Sequence, residues 1–413
     1  MMATTADPQT PARPAKPTLD SLSPSQIEAI RRIPPHDGGQ KPTPIADWLE
    51  PVIKKTRPAS IFLDRERFDL EQRSIFRRLP VPLMPSARLP EPGDAVAFDG
   101  YGPALIVARD KDGVVRTFHN ACQHKGSKLI EQCEVHKAAR FICPYHSWTY
   151  GLDGRLLAAA RSEMFTDFDK ADYKLSQLPT REYAGMIWGV LDPEVTPDWS
   201  AMEPEGAGGF ADDMRHLGIP NAYLYGHKRF EIAANWKLVL EPFMESYHVT
   251  RLHASSIGDL FTDMASICTK LGPHQRKVAG KIQFQPSDLD IPGENIHKTV
   301  THAYQVFPNG TIVTSPYYIS MMVLMPIAPD KTNVDYYMLL PRKPDSEKAE
   351  SIAARSYELI LKVFGGEDFR AATITQEGLA SGGLKTVTYG GMENTIPTYY
   401  DQLESHFLTN ERG

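Results

Sequence analysis

The chain has 413 residues, 45 of them basic and 51 acidic, which gives a formal net charge of -6 at pH 7. This length allows two domains, because single hydrophobic cores stop growing beyond roughly 250 to 300 residues. The slight acidic excess offers no electrostatic footprint for nucleic acid or for an anionic membrane surface. Four cysteines are too few for a secreted disulfide framework in a chain of this size, so we expect a reducing, cytoplasmic compartment.

The N-terminal segment is polar and rich in proline and lacks an apolar core of signal-peptide length. We therefore expect residues 1–45 to form a disordered or peripheral extension without an export signal. Within it, Ser23 is a candidate helix N-cap, with Pro24 at the first helical position and Gln26 in the place of a capping box. This pattern predicts a short peripheral helix, and the mixture of apolar and charged residues over 63–78 predicts a second helix.

Short strand signals with glycine punctuation begin at about Leu83 and predict a compact all-β domain over residues 83–193. Residues 194–413 mix strand-like runs with helical patterns at 235–250 and 347–364, which predicts an α+β domain.

The longest stretch without Asp, Glu, Lys or Arg, 301–329, contains a Pro-Asn-Gly turn signal and is then interrupted by Pro316 and Pro326. We interpret it as strands joined by a turn, and a transmembrane helix is not expected. The run SPYYISMMVLMPIAP within it is apolar enough to line a pocket, although plain core is the commoner role of a methionine-rich strand.

The all-β region contains three cysteine-histidine pairs at metal-ligand spacing: Cys122 with His124, Cys133 with His136, and Cys143 with His146. The first and third pairs directly follow strand-like runs, and the 18 residues between His124 and Cys143 allow the chain to pass through a sheet and return. The middle pair lies in a charged connection, so we interpret Cys133 and His136 as bystanders.

The outer pairs lie in the stretches FHNACQHKGSKL and CPYHSWTYGLDGRL, which resemble the two Rieske loops of ring-hydroxylating oxygenases. In a Rieske [2Fe-2S] centre two thiolates hold one iron and two imidazoles hold the other. The resemblance therefore implies Cys122 and Cys143 on one iron, and His124 and His146 on the second. Lys125 departs from the usual arginine of that family and lacks its planar fork. A structural zinc on the same four residues is the alternative, since this is a common zinc set.

A second cluster lies in NWKLVLEPFMESYHVTRLH, residues 235–253, which predicts a helix with Asn235 as N-cap and a kink at Pro242. In a regular helix, His253 would lie about 140° around the axis from His248. The two imidazoles can share a metal only if the helix ends or bulges between them.

The same stretch resembles the iron site of the Rieske oxygenases, although Pro242 replaces their usual asparagine. The resemblance implies that His248 and His253 bind the iron and that Glu245 bridges to a Rieske histidine of the neighbouring subunit. It also implies that Asp368, in a Glu-Asp pair after a Gly-Gly break and eight residues before Gln376, completes a two-histidine, one-carboxylate site. The alternative for this acidic pair is the solvated N-terminus of a helix.

The resemblance covers about residues 60–400 and implies the catalytic α subunit of a Rieske non-haem iron oxygenase. The fold implied is α+β, with an all-β Rieske domain inserted before an α+β catalytic domain that has a central antiparallel sheet of the helix-grip type. Residues 46–82 would form the N-terminal helical part of the catalytic domain. The implied cofactors are a [2Fe-2S] cluster and a mononuclear Fe(II). Their implied task is the hydroxylation of an aromatic or other apolar substrate with dioxygen, and O- or N-demethylation, including that of quaternary amines, is the alternative.

The chain has no nucleotide fingerprint, and its four cysteines cannot supply both Rieske ligands and a plant-type cluster. Electrons must therefore come from a separate NAD(P)H-dependent reductase, with or without a ferredoxin. The resemblance also implies a homotrimer in which the cluster of one subunit serves the iron of the next, with or without a small β subunit. A zinc-binding structural protein and a pure electron carrier with a degenerate iron site remain as other classes.

Overall fold

The computed structural model describes residues 22–34, 56–202, 209–264, 266–291 and 293–407. Within these ranges the α-helices, in chain order, are α1 (Pro24–Arg31), α2 (Arg65–Glu71), α3 (Phe210–His216), α4 (Trp236–Leu240), α5 (Val249–Leu252), α6 (Glu347–Val363), α7 (Phe369–Ala380) and α8 (Thr395–Ser405). The strands are β1 (Thr56–Pro58), β2 (Val81–Pro85), β3 (Asp94–Phe98), β4 (Leu105–Arg109), β5 (Val115–His119), β6 (His136–Lys137), β7 (Phe141–Ile142), β8 (Thr149–Tyr150), β9 (Leu156–Ala158), β10 (Gln177–Leu178), β11 (Thr180–Tyr183), β12 (Met186–Gly189), β13 (Tyr223–Ile232), β14 (Ile267–Leu271), β15 (His274–Gly280), β16 (Val300–Val306), β17 (Gly310–Thr314), β18 (Ile319–Ala328), β19 (Lys331–Leu340) and β20 (Thr386–Thr388). None of the helices in these ranges is long and apolar enough to cross a membrane.

The N-terminal helix α1 has the predicted capping box. The Ser23 hydroxyl accepts from the Gln26 backbone N–H at 3.0 Å, and the Gln26 side chain accepts from the Ser23 N–H at 2.7 Å. The expectation of a peripheral helix is wrong, because Gln26 also donates to the Tyr304 hydroxyl of β16, and Ser23 donates to Asp213. These buried hydrogen bonds fix α1 against the large sheet. Residues 1–21 and 35–55 lie outside the described part of the chain.

The all-β region contains a five-stranded sheet in the order β10-β5-β4-β3-β6 and a small sheet in the order β7-β8-β9. The larger sheet is covered on both faces. Ala95 and Ala108 pack into a small local core, whereas Val96 and Val107 join the main core of the molecule. Because successive side chains of a strand point to opposite faces, one sheet closes both cores. This arrangement ties the all-β region rigidly to the rest of the chain, while the boundaries at 83 and 193 stay predictions.

The α+β region is built on a seven-stranded antiparallel sheet in the order β13-β19-β18-β17-β16-β15-β14. A long helical run, α6 followed by a π-helical turn over Phe364–Asp368 and then α7, packs on this sheet through ring contacts such as Phe230 with Phe369 and Tyr336 with Phe364. The methionine-rich run forms β18 and belongs to the buried core. The predicted α+β class and the predicted central antiparallel sheet are confirmed.

The structure departs from the predicted helix over residues 235–253. Asn235 is the predicted N-cap, but α4 ends at Leu240 and a short 3₁₀ turn follows. Glu245 is then fully extended, with φ -138° and ψ 172°, before α5 begins. Pro242 explains the break, because proline has no N–H to donate to the preceding turn and its ring clashes with the carbonyl four residues before it.

The Gly-Gly pair near residue 365 does not break a helix, contrary to the sequence expectation. The chain continues from α6 through the π-helical turn into α7 without leaving helical geometry. At Gly365 a Cβ atom would come within 3.1 Å of the Phe230 ring, so glycine allows the helix to lie close to β13. A π-helical turn changes the angle at which the following side chains project, and Asp368 is the last residue of this turn.

A buried ion pair joins α2 to α4 below the broken helix. Lys237 donates to both carboxylate oxygens of Glu71 at 2.8 Å, and the Trp236 indole N–H donates to the same carboxylate at 2.9 Å. Both charged side chains are inaccessible to solvent. The pair therefore links the helical segment before the all-β domain to the helix that leads into the second predicted metal site.

We expect Glu71→Gln to lower the free energy of unfolding by roughly 3–5 kcal/mol, because the Lys237 ammonium then loses its carboxylate partner inside the core. Denaturant titration followed by circular dichroism measures this loss. The double variant Glu71→Gln, Lys237→Met should recover part of it, and Glu66→Gln on the exposed side of α2 is the matched control. Equal midpoints for Glu71→Gln and Glu66→Gln would contradict this assignment.

Candidate active site

The first and third cysteine-histidine pairs meet at one end of the all-β region, on the two loops that follow β5 and β7. The Cys122 and Cys143 thiols are both buried and contact each other, and neither forms a disulfide. The His124 and His146 rings lie side by side, with their Nδ1 atoms 3.1 Å apart. The two thiols thus form one group of potential ligands and the two imidazoles form another.

This separation bears on which metal fits. A tetrahedral zinc site needs its ligand atoms gathered around a single ion. Within the described residues, one group of three potential ligands has its ligand atoms within 4.8 Å of one another. That group contains none of these four residues. Two thiols on one side and two imidazoles on the other match a two-iron cluster with mixed ligation.

The surroundings of the two sulfur atoms differ, and they favour a thiolate at Cys143. Burial opposes ionisation of Cys143, but the backbone N–H groups of His146 and Tyr145 donate to the sulfur and bring the pKa of the thiol below its usual value. The pKa of the Cys122 thiol is raised by burial, and the Tyr150 hydroxyl lies 3.3 Å from its sulfur. Hydrogen bonds to cluster sulfur tune the reduction potential of an iron-sulfur centre.

The two histidines lie at the rim of this site. The His124 ring stacks on the buried Trp148 ring with centroids 5.0 Å apart, and His146 stacks on the exposed Tyr145. Lys125, the departure from the family pattern, has its ammonium 6.0 Å from the centre of the Tyr145 ring.

The middle pair takes no part in this site. Cys133 is exposed, and its carbonyl accepts from Arg88, while His136 begins β6 and lies 3.4 Å from the carbonyl of Glu134.

The second site is assembled from the broken helix and the π-helical turn. Asp368 Oδ1 lies 3.6 Å from His248 Nε2 and 3.5 Å from His253 Nε2. The two imidazole rings are 5.2 Å apart at an angle of 74°. His248 is the N-cap and His253 is the C-cap of the single-turn helix α5, so the two imidazoles lie at the two ends of one helical turn. Among the described residues these three form the one group whose ligand atoms suit a single metal ion.

Carboxylates also hold the outer nitrogens of both histidines. His248 Nδ1 contacts Glu245 Oε1, and His253 Nδ1 lies 2.5 Å from Glu367 Oε2. Partial burial raises the pKa of Glu367, but hydrogen bonds from His253 and Ser256 outweigh this effect and keep the pKa below its usual value. An ionised carboxylate at Nδ1 fixes the tautomer that leaves Nε2 free to bind a metal.

The buried carboxyl group of Asp368 lies in an environment that a bound cation would stabilise. Burial raises its pKa to about 6 despite the nearby imidazoles, and its Oδ2 atom is buried without a hydrogen-bond partner. This is the environment of a metal ligand and not of a solvated helix end. The Gln376 side chain joins α7 to the start of α4, because its oxygen accepts a hydrogen bond from the Asn235 backbone N–H at 2.9 Å.

A cavity of about 120 Å³ opens next to the three ligands. One wall is helical and the other is the face of β15, β16 and β17. Its lining is mainly apolar and includes the rings of Phe243, Phe261 and Phe364. Two histidines and one carboxylate at the edge of an apolar cavity have the form of a non-haem Fe(II) site with open positions.

The residues that line the sheet side of this cavity, including Lys277 and Ser266, were not among those predicted from the sequence. One feature could have indicated these residues: the buried strand β15 contains three consecutive long polar side chains, Gln275 to Lys277.

Two family models match the regions of the chain that contain these two sites. The Rieske [2Fe-2S] domain model matches residues 80–168, and the model of the ring hydroxylating alpha subunit (catalytic domain) matches residues 221–407.

The chain belongs to the Rieske oxygenase α subunits. The cofactors of this family, a [2Fe-2S] cluster and a mononuclear iron, are those predicted from the sequence, and the zinc-protein alternative is wrong.

Two relatives of this Rieske oxygenase chain are named for glycine betaine and for carnitine. The glycine betaine monooxygenase oxygenase subunit of Pseudomonas aeruginosa (strain UCBPP-PA14) is 32% identical over 226 residues, which cover 51% of this chain and 50% of the relative. The match thus spans about half the length of that protein. The carnitine monooxygenase oxygenase subunit of Escherichia coli (strain K12) is 26% identical over 80% of this chain and 86% of its own.

Solved structures give the same fold. The quaternary ammonium Rieske monooxygenase CntA superposes with a TM-score of 0.74 at 22% identity, covering 86% of this chain and 95% of its own. Naphthalene 1,2-dioxygenase from Rhodococcus sp. superposes with a TM-score of 0.67 at 21% identity, covering 84% and 94%.

We expect Cys143→Ser to remove the acid-labile sulfide and the Rieske signal in the reduced state, because one thiolate of the cluster is lost. Cys133→Ser should keep both, since this cysteine is exposed and lies outside the site. Iron and sulfide analysis with electron paramagnetic resonance spectra distinguishes the two variants. A cluster that survives in Cys143→Ser, or disappears in Cys133→Ser, contradicts the assignment of the pairs.

We expect Glu367→Gln to weaken iron binding at the second site by about 10-fold to 100-fold, because the carboxylate that fixes the His253 tautomer is removed. Competition with a calibrated Fe(II) chelator measures the affinity, and the Rieske spectrum should not change. The control is Glu377→Gln, an exposed position on α7. If both variants bind iron as the wild type does, Glu367 has no part in positioning His253.

Proposed function

We propose that this chain is the oxygenase component of a Rieske-type monooxygenase that hydroxylates a carbon atom bonded to the nitrogen of a quaternary amine. The observation that carries the proposal is the group of His248, His253 and Asp368 at the edge of an apolar cavity. The relatives named for glycine betaine and carnitine favour this demethylase-type alternative over the aromatic substrate that the sequence analysis put first. They give no support to a role in aromatic hydrocarbon catabolism.

Each cofactor has a set of residues that fits it. Cys122 and Cys143 would hold one iron of the [2Fe-2S] cluster, and His124 and His146 the other, so that the cluster can pass single electrons. His248, His253 and Asp368 would hold Fe(II), which supplies dioxygen binding and activation when it is bound.

The other side chains of the second site hold and orient the ligands. Glu245 and Glu367 accept hydrogen bonds from the Nδ1–H groups of the two histidines, which leaves both Nε2 atoms directed toward Asp368. The aromatic lining excludes water from the substrate, and its π faces attract a quaternary ammonium group that lacks hydrogen-bond donors.

The reaction balances with two electrons and two protons per dioxygen molecule. One oxygen atom enters the C–H bond of the substrate and the other leaves as water. The hydroxylated carbon then becomes an aldehyde as its bond to nitrogen breaks. The hydroxyl proton is lost to solvent, the C–N bonding pair stays on nitrogen, and the neutral amine is released.

The electrons require partners. We propose a separate NAD(P)H-dependent reductase, with or without a ferredoxin, and transfer between subunits through Glu245. The description of the CntA structure likewise names inter-subunit electron transfer for that protein. The homotrimer, a β subunit and a cytoplasmic location stay predictions.

A pure electron carrier is the weaker alternative. A degenerate second site would not retain three converging ligands, each histidine backed by its own carboxylate, beside an apolar cavity.

We expect the chemically reduced protein, exposed to dioxygen in a single turnover, to release an amine and an aldehyde from at least one quaternary amine among glycine betaine, carnitine and choline. Mass spectrometry measures both products. Asp368→Ala and His248→Ala should abolish them while the Rieske spectrum stays. Naphthalene is the uncharged comparator, and its oxidation without any turnover of the amines would replace this proposal with aromatic hydroxylation.

A further inference from the structure

A buried ammonium group faces the cavity of the second site. Lys277, on β15, is 9% exposed and lines the cavity beside the metal ligands. Its Nζ atom donates to the backbone carbonyl of Glu245 at 2.5 Å, and this is its one hydrogen bond within the described part of the chain. An ammonium has three donors, so two remain for a group inside the cavity.

The strand register explains why this lysine points into the cavity. Lys277 pairs with Ala303 of β16, and Ala279 pairs with Thr301. Residues opposite each other in an antiparallel pair, and residues two apart in a strand, share one face of the sheet. All four side chains line the cavity. Two of the neighbours are alanines, which leave open space next to the longer lysine.

Two other buried cations of the chain are paired with carboxylates, whereas the buried Lys281 donates to a backbone carbonyl. Arg276, the preceding residue, points to the opposite face of the sheet and donates to Asp213 at 2.6 Å. Lys237 has Glu71. The carboxylate of Glu245 acts on Lys277 electrostatically, but its two oxygens are already engaged by the ring and backbone N–H groups of residues 247 and 248.

A second polar group faces the same space. Ser266 immediately precedes β14, whose first residue pairs with Val278, so Ser266 lies beside Ala279. Its hydroxyl is buried, lines the cavity and has no hydrogen-bond partner. Burying an unsatisfied hydroxyl and an ammonium without a direct carboxylate is unfavourable unless a ligand completes them.

We propose that Lys277 and Ser266 bind the carboxylate of the substrate, so that the enzyme takes a betaine, with a cation at one end and an acid at the other, and rejects amines that lack the acid. Only the part of this inference that concerns the amine end of the substrate rests on the proposed function. The carboxylate accepts from the ammonium and from the hydroxyl, while the Phe243, Phe261 and Phe364 rings surround the other end of the molecule. Burial lowers the pKa of Lys277 to about 8, so the group still carries its charge at neutral pH.

The same arrangement disfavours a cation without an acid. A choline-like molecule would bring its positive charge into a cavity that already contains an ammonium without a carboxylate hydrogen-bonded to it. Like charges in a site of low dielectric repel strongly, whereas a betaine brings its own compensating charge.

The experiment uses four ligands on the oxidised holoenzyme without reductant, so that binding is measured by calorimetry and no turnover occurs. They are glycine betaine, its carboxamide, the tert-butyl acid in which carbon replaces the nitrogen, and the carboxamide of that acid. We expect each acid to bind at least about tenfold more tightly than its amide, because a hydrogen bond to a charged group is lost in the amide. In Lys277→Met this preference should disappear, and in Lys277→Arg it should be largely restored.

Lys281→Met is the matched control, because Lys281 is also a largely buried lysine but donates to the His297 carbonyl and lies outside this cavity. Ser266→Ala should reduce the acid preference in part. Equal binding of acids and amides by the wild type, or an acid preference unchanged in Lys277→Met, overturns the inference. If the tert-butyl acid binds through Lys277 but no quaternary amine binds, the acid subsite stands and the proposed amine function fails.

Discussion

The Asp368 carboxylate lies between the Nε2 atoms of two histidines, and this convergence depends on two departures from regular helix. A continuous helix from Asn235 to His253 would turn the imidazoles to different sides. Instead, the extended backbone at Glu245 separates α4 from the one-turn helix α5, and the two histidines lie at the two ends of that turn. On the other side, the π-helical turn over Phe364–Asp368 adjusts the helical run so that Asp368 faces them. Helix irregularities of this type are frequent at functional sites, and here both occur at ligands of the same ion.

The second site also contains buried charged groups, some with hydrogen-bond partners and some without. Each imidazole has a carboxylate on its outer nitrogen, so its Nε2 atom is available to a metal. Asp368 has no such partner for Oδ2, and Lys277 has no side-chain carboxylate of its own bound to it. Glu71 and Lys237, by contrast, pair with each other in the core. Asp368 and Lys277 border the cavity, where a cation and a substrate acid would satisfy them.

The two metal sites belong to separate cores joined by one sheet. Because β3 and β4 present one face to the small core behind the Cys122 loop and the other to the main core, the loops of the all-β region have a fixed base. The histidines of the first site remain at the rim, with the exposed Tyr145 beside them. A rigid base with an exposed edge suits a centre that exchanges electrons with a partner and does not bind a substrate.

The sequence by itself determined which residues could bind a metal, because ligand identity and spacing are local properties, and the resemblance to the Rieske oxygenases gave those residues their expected roles. The Cys-x-His and Cys-x-x-His pairs, the pair His248 and His253 and the Glu-Asp pair could each be read from short stretches. The α+β class followed from the periodicity of hydrophobic residues. The capping of α1 was also readable, since a capping box spans four residues.

Only the tertiary structure decided how these stretches combine. Helical periodicity over 235–253 hid a break that Pro242 and the surrounding packing produce, and two glycines suggested a helix end where close contact with Phe230 keeps the helix intact. The position of α1 against Tyr304 and Asp213 depends on partners far away in the sequence. The sheet side of the cavity could not be predicted from the sequence for the same reason. Lys277 faces the ligands only because of the register among β14, β15 and β16, and such pairing between distant segments leaves no local signal.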